Sequence, residues 1–188
     1  MFIQTEATPN PATLKFLPGK VVMPEGTFDA RDAAGAAPSP LAQRLFEIPG
    51  IAGVFFGHDF VTVTKGQGEW QHMKPAILAA IMEHFMSGAP IVIGGAGPAG
   101  AADGEEFFDA ADAPTVETIK ELLETRIRPA VAGDGGDITF RGFKDGVVYL
   151  DMKGACSGCP SSTATLRHGI QNLLRHYLPD IVEVRPMA

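Results

Sequence analysis

From Gly94 to Glu106 the chain reads Gly-Gly-Ala-Gly-Pro-Ala-Gly-Ala-Ala-Asp-Gly-Glu-Glu. Small residues and acids bury little apolar area, so this run cannot offset the conformational entropy lost on ordering. A chain with such a run in its middle is expected to fold as two pieces. Charge marks the same boundary. Residues 1–88 carry 6 Lys and Arg against 8 Asp and Glu, residues 89–113 carry none against 5, and residues 114–188 carry 9 against 9. The expected class is α+β: two small domains of mixed α/β content, 1–88 and 114–188, joined by a flexible, acidic, Gly/Ala-rich linker over 89–113.

Within the first domain, residues 2–6 and Thr13–Leu17 read as strands separated by the turn-rich Thr8-Pro9-Asn10-Pro11. Ser39-Pro40 opens a short helix, because serine caps well and proline suits the first helical position. Its apolar side is Leu41, Leu45, Phe46 and Ile48, and Pro49-Gly50 stops it. Ile51–Phe56 and 60–64 read as a hairpin, followed by a helix from about Trp70 to Ser87 with Met73, Ile77, Ile81, His84 and Phe85 at helical spacing.

In the second domain Val116, Ile119, Leu122, Leu123 and Ile127 form one helical stripe, which Pro129 ends or kinks. Gly133-Asp134-Gly135-Gly136 is a sharp connection into a hairpin, 137–143 and 147–152. A last helix runs to about Leu178, with Leu166, Ile170, Leu173, Leu174 and Tyr177 on its buried side, and 181–184 is a final strand.

Several function classes fall away early. The net charge is −7 with no basic run, which argues against nucleic acid as a partner. No apolar stretch reaches the ~20 residues of a membrane span. Met1-Phe2-Ile3-Gln4-Thr5-Glu6 has no basic start followed by an apolar core, so a cytosol-like compartment is expected. That means the cytoplasm of a bacterium, or the mitochondrial matrix after processing in a eukaryote.

The chemistry concentrates at Gly154-Ala155-Cys156-Ser157-Gly158-Cys159-Pro160, between a strand and a helix. Pro160 marks the helix start, which puts Cys159 near the N-cap. Free backbone N–H groups and the positive helix end are expected to favour thiolate, the form that binds metal. Thiolates select zinc, copper(I) or iron–sulfur clusters. A complete zinc or [4Fe–4S] site needs four ligands, and the chain has 2 cysteines with no histidine nearby in sequence. A two-fold dimer would bring four thiols together. From spacing alone three readings stay open: a shared metal or cluster, a dithiol oxidoreductase, and a structural zinc or incidental pair.

Other motifs read more plainly. Gly95-x-Gly97-x-x-Gly100 matches a dinucleotide fingerprint, but no helix with an apolar stripe follows it. His58, His72, His84, His168 and His176 are expected at the surface or hydrogen-bonded, and His168 and His176 are not spaced as a zinc pair. Asp134 and Asp137 are expected to cap a turn. Phe55, Phe56 and Phe60 are expected in hairpin packing rather than a partner-binding patch. Ser161 and Ser162 are expected to cap the helix rather than act as nucleophiles.

The run Ile127-Arg128-Pro129-Ala130-Val131-Ala132-Gly133-Asp134-Gly135-Gly136-Asp137, with Gly154 to Ser162, closely resembles the C-terminal domain of NifU, the Nfu family. Thr8-Pro9-Asn10-Pro11-Ala12-Thr13-Leu14-Lys15-Phe16, Ser39-Pro40-Leu41-Ala42 and Val54-Phe55-Phe56-Gly57 resemble the N-terminal domain of Nfu-type proteins. The resemblance covers nearly everything except the linker, and does not extend to the scaffold and ferredoxin-like parts of full-length NifU. It implies a non-enzymatic iron–sulfur scaffold or carrier. Cys156 and Cys159 would be the ligands of a [4Fe–4S] cluster bridging a homodimer. The implied partners are upstream assembly proteins, a second copy of the chain and apo client proteins, with the domain over 1–88 recognising them.

Overall fold

The structure is a computed structural model that describes residues 1–94, 106–157 and 160–187, without the side chains of 160–162. The middle of the expected linker, the Gly95/Gly97/Gly100 fingerprint, Gly158, Cys159 and the side chains of Ser161 and Ser162 lie outside the described residues. The chain divides into two compact units, and each carries its own sheet.

The first unit contains β1 (Gln4–Ala7), β2 (Thr13–Leu17), β3 (Phe28–Ala30), α1 (Pro40–Phe46), β4 (Ile51–Phe56), β5 (Val61–Lys65) and α2 (Trp70–Ser87). The strands form one antiparallel sheet in the order β1-β2-β5-β4-β3. Asn10 closes the turn between β1 and β2, its carbonyl accepting from Thr13 N (2.9 Å) and its side-chain oxygen from Ala12 N (3.0 Å). Ser39 caps α1, accepting from Ala42 N at 3.1 Å, with proline in the first turn as expected.

Phe16, Phe56, Leu41, Leu45, Ile77 and Ile81 are fully buried and form the centre of this core. Phe56 stacks on Phe28 at 5.3 Å, whereas Phe55 and Phe60 are buried as a separate pair at 6.0 Å. All three rings are therefore packed, and no partner patch forms from them. β3 went unforeseen: three residues carry too short a pattern to read as a strand, and pairing with β4 defines it. His84 is a hydrogen-bonded histidine, to the backbone of Ala89, and not a surface one. It is 4 % exposed at the end of the buried stripe of α2, its Nε2 has no hydrogen-bond partner among the described residues, and burial lowers its pKa.

The second unit contains α3 (Ala113–Leu122), a π turn (Leu123–Ile127), α4 (Arg128–Gly133), β6 (Gly136–Lys144), β7 (Val147–Gly154), α5 (Pro160–Tyr177) and β8 (Glu183–Met187). β7 is central, antiparallel to β6 and parallel to β8. Pro129 does not end the first helical run. The chain widens into a π turn and resumes as α4 with Pro129 in its first turn, where the missing N–H costs nothing. Val116, Ile119, Ile127 and Val131 pack with Ile138, Val148, Leu150, Ile170 and Leu174. Tyr177 is not on the buried side: at the last turn of α5 it is 44 % exposed, under the Arg126 guanidinium.

The described ends of the segment 89–113 are anchored within their own units. Ile91 and Val92 pack on the first core, and Ile93 N donates to Pro38 O at 2.7 Å. Phe107 forms a bridge to Gly142 and packs on Tyr149 at 5.0 Å, while Lys120 pairs with Glu106. Ala110–Asp112 is a 3₁₀ turn, and α3 starts one residue before Pro114. The apolar side chains at both ends explain the anchoring. The stretch of purely small and acidic residues is shorter than 89–113.

Candidate metal centre

The cysteine loop leaves the end of β7. Gly154 takes φ +64°, a left-handed turn open to glycine at little cost. The chain then doubles back. Ala155 N donates to Gly135 O at 3.1 Å, and Ser157 donates to Gly154 O through both its backbone N (3.1 Å) and its hydroxyl (2.9 Å). α5 begins at Pro160, as proline at a first helical position leads one to expect. From its first turn the Thr163 hydroxyl donates to Cys156 O at 3.1 Å.

Cys156 carries a free thiol and is buried, 6 % exposed, among the apolar side chains of the second core. Its sulfur stands over Gly136. A Cβ built there would lie 2.6 Å from Cys156 Sγ and 2.6 Å from Lys153 O. Gly136 is thus an empty seat that the sulfur fills. The thiolate expectation fails for Cys156 in this arrangement. Burial pushes the thiol up to about 12, and the carboxylates of Asp134 and Asp137 push in the same direction. At neutral pH the unliganded side chain is a protonated thiol. The expectation rested on the helix start, but desolvation outweighs any charge–dipole gain for a sulfur turned into the core.

Asp137 does not cap a turn. The Arg128 guanidinium grips its carboxylate in two bonds, Nε to Oδ1 at 2.9 Å and Nη2 to Oδ2 at 3.0 Å, and Ile138 N adds a third at 2.8 Å. Arg128 also donates to Glu124 at 2.6 Å, and these partners raise its pKa. The clamp ties α4 to the first residues of β6, where Gly136 lies. Asp134 does sit at the end of α4, where a turn begins.

Of the two candidate ligands, Cys156 is placed and Cys159 lies outside the described residues. No group of three or more His, Cys, Asp or Glu able to hold a metal ion occurs among the described residues. No helix among them is long and apolar enough to cross a membrane. Gly136, Thr163 and the Arg128–Asp137 clamp escaped sequence reasoning as parts of the site. The early sign of Gly136 and Asp137 was the glycine- and aspartate-rich run before β6, and nothing in the spacing marked the Thr163 hydroxyl.

Comparison with known proteins fixes the class first. Residues 3–88 match the family described as "Scaffold protein Nfu/NifU N terminal", and residues 119–185 match the NifU-like domain. The chain is 51 % identical to the human mitochondrial NFU1 iron-sulfur cluster scaffold homolog over 96 % of its own length and 70 % of the relative's. It is 52 % identical to the protein of that name from Drosophila sechellia and 50 % identical to NifU-like protein 4, mitochondrial, from Arabidopsis thaliana, covering 64 % of each and 98 % and 96 % of itself. The chain therefore belongs to the Nfu family, with an Nfu N-terminal domain followed by a NifU-like domain. This is a family of scaffold proteins and not of enzymes.

Proposed function

We propose that this chain is an iron–sulfur cluster scaffold and carrier. It holds a [4Fe–4S] cluster between two copies on Cys156 and Cys159 and hands it to apo-proteins. The observation carrying the reading is the pairing of just 2 cysteines with a NifU-like domain. A cubane takes four thiolates, so each copy supplies half the coordination sphere. Residues 1–88 recognise clients and upstream assembly proteins, residues 89–113 connect, and residues 114–188 carry the cluster. Transfer proceeds by ligand exchange. A client thiolate forms a bond to an iron as the bond to Cys156 or Cys159 breaks, one ligand at a time. The relatives named above are mitochondrial proteins, which supports the mitochondrial matrix if the chain is eukaryotic.

Two rivals are weaker. A dithiol oxidoreductase motif sits in a strand–helix–strand unit, whereas the cysteines here follow the antiparallel hairpin β6–β7. A structural zinc protein would need its metal to fold, but the second unit already has an extensive apolar core. Anaerobic reconstitution with iron and sulfide separates the three. A carrier turns brown and absorbs near 400 nm, as Fe–S clusters do. Replacing Cys156 or Cys159 by Ser should leave the far-UV spectrum intact and abolish stable uptake. Full cluster retention by either variant would refute the ligand assignment.

A further inference from the structure

The proposed function requires Cys156 to reach iron shared with a second copy, yet its sulfur faces inward. The side chain is 6 % exposed, packed in the cluster that contains Val131, Ile138 and Ile170, and seated over Gly136. From this seat Sγ cannot contribute to a site between two molecules. The unliganded loop is thus in a closed arrangement, and uptake must open it. Ser157 closes the turn locally on Gly154, and Ala155 N ties it to Gly135 O in the connection between α4 and β6. A further bond, from α5, fixes the cysteine itself. Thr163, in the first turn of α5, donates its hydroxyl to the Cys156 carbonyl across seven residues of chain.

We propose that Thr163 is a positioning residue for the ligand loop, its hydroxyl holding Cys156 in the concealed position until cluster uptake turns the 154–157 segment outward. The inference rests on the carrier reading for its purpose, but the concealment is a property of the cluster-free chain. A hidden sulfur is out of reach of oxidants and of disulfide exchange while no cluster is bound. Release of the Thr163 bond and the local turn bonds is a small-scale opening, of the kind that proceeds without global unfolding.

The test uses the full chain with Cys159→Ser, metal-free and reduced, so that Cys156 is the sole thiol. Its rate of labelling by a chromogenic aromatic disulfide is compared folded and in guanidinium. The folded chain should label roughly 100-fold more slowly. Adding Thr163→Val should speed labelling of the folded chain roughly 2- to 10-fold, the worth of one neutral hydrogen bond. Thr163→Ser should restore the slow rate, and the denaturation midpoint of Thr163→Val should fall by no more than the worth of that one bond. Equal rates folded and unfolded would overturn the concealment. A Thr163→Val rate equal to the parent's, or a Thr163→Ser rate as fast as that of Thr163→Val, would overturn the part given to the hydroxyl. If the wild-type chain takes up no iron and sulfide, the carrier reading fails and these rates are untouched.

Discussion

Gly136 and Cys156 share one small volume, and this contact governs the cysteine loop. Gly136→Ala would drive a methyl against both the sulfur and the Lys153 carbonyl, each 2.6 Å from the ideal Cβ position. The expected cost is about 1–3 kcal/mol of second-domain stability, as in other overpacked sites, read from the denaturation midpoint. The thiol makes a pH prediction as well. The ordinary value of 9.0 applies to the unfolded chain, and the folded thiol sits near 12. The native state therefore keeps its proton where the unfolded state loses it. Stability from the buried thiol is complete below about pH 9 and drains away as pH rises toward 12. Denaturation between pH 8 and 11 should show this decline, and Cys156→Ala should remove that part of it. The cysteine pair was legible from its spacing alone. The inward turn of one thiol was not, because Gly136 lies 20 positions earlier and meets the sulfur only through the pairing of β6 with β7.

At the scale of elements, α4 and β6 are locked by the Arg128–Asp137 pair, with Asp137 largely buried and Arg128 about one-third exposed at its side chain. Arg128→Met would strip a buried carboxylate of the guanidinium that grips both of its oxygens. The expected loss is about 1–3 kcal/mol, measured by chemical denaturation, and Arg128→Lys should recover part of it but not the two-pronged grip. The elements themselves were largely readable. Ser39-Pro40 announced α1, and the 3.6-residue stripe from Met73 to His84 announced α2. Pro129 was read as ending or kinking its helix, and the interruption takes the form of a π turn ahead of the proline, with Ile127 and Val131 on either side buried. One failure has a physical reason. Tyr177 follows the stripe of α5, yet at the helix end it meets Arg126 and solvent instead of the sheet.

Across the whole molecule, two separate hydrophobic cores divide the labour: one unit with no cysteine at all, the other with both. The composition break over 94–106 announced this division, and apolar residues at 91–93 and 107 narrowed it by anchoring the ends. Half a ligand set per chain is the claim from which the dimer, the transfer step and the need to open the loop all follow. Native mass spectrometry of anaerobically reconstituted protein tests it most directly. The account predicts a species of two chains carrying four irons and four sulfides, and a metal-free chain once the cluster is lost. A single chain holding an intact cubane would contradict it.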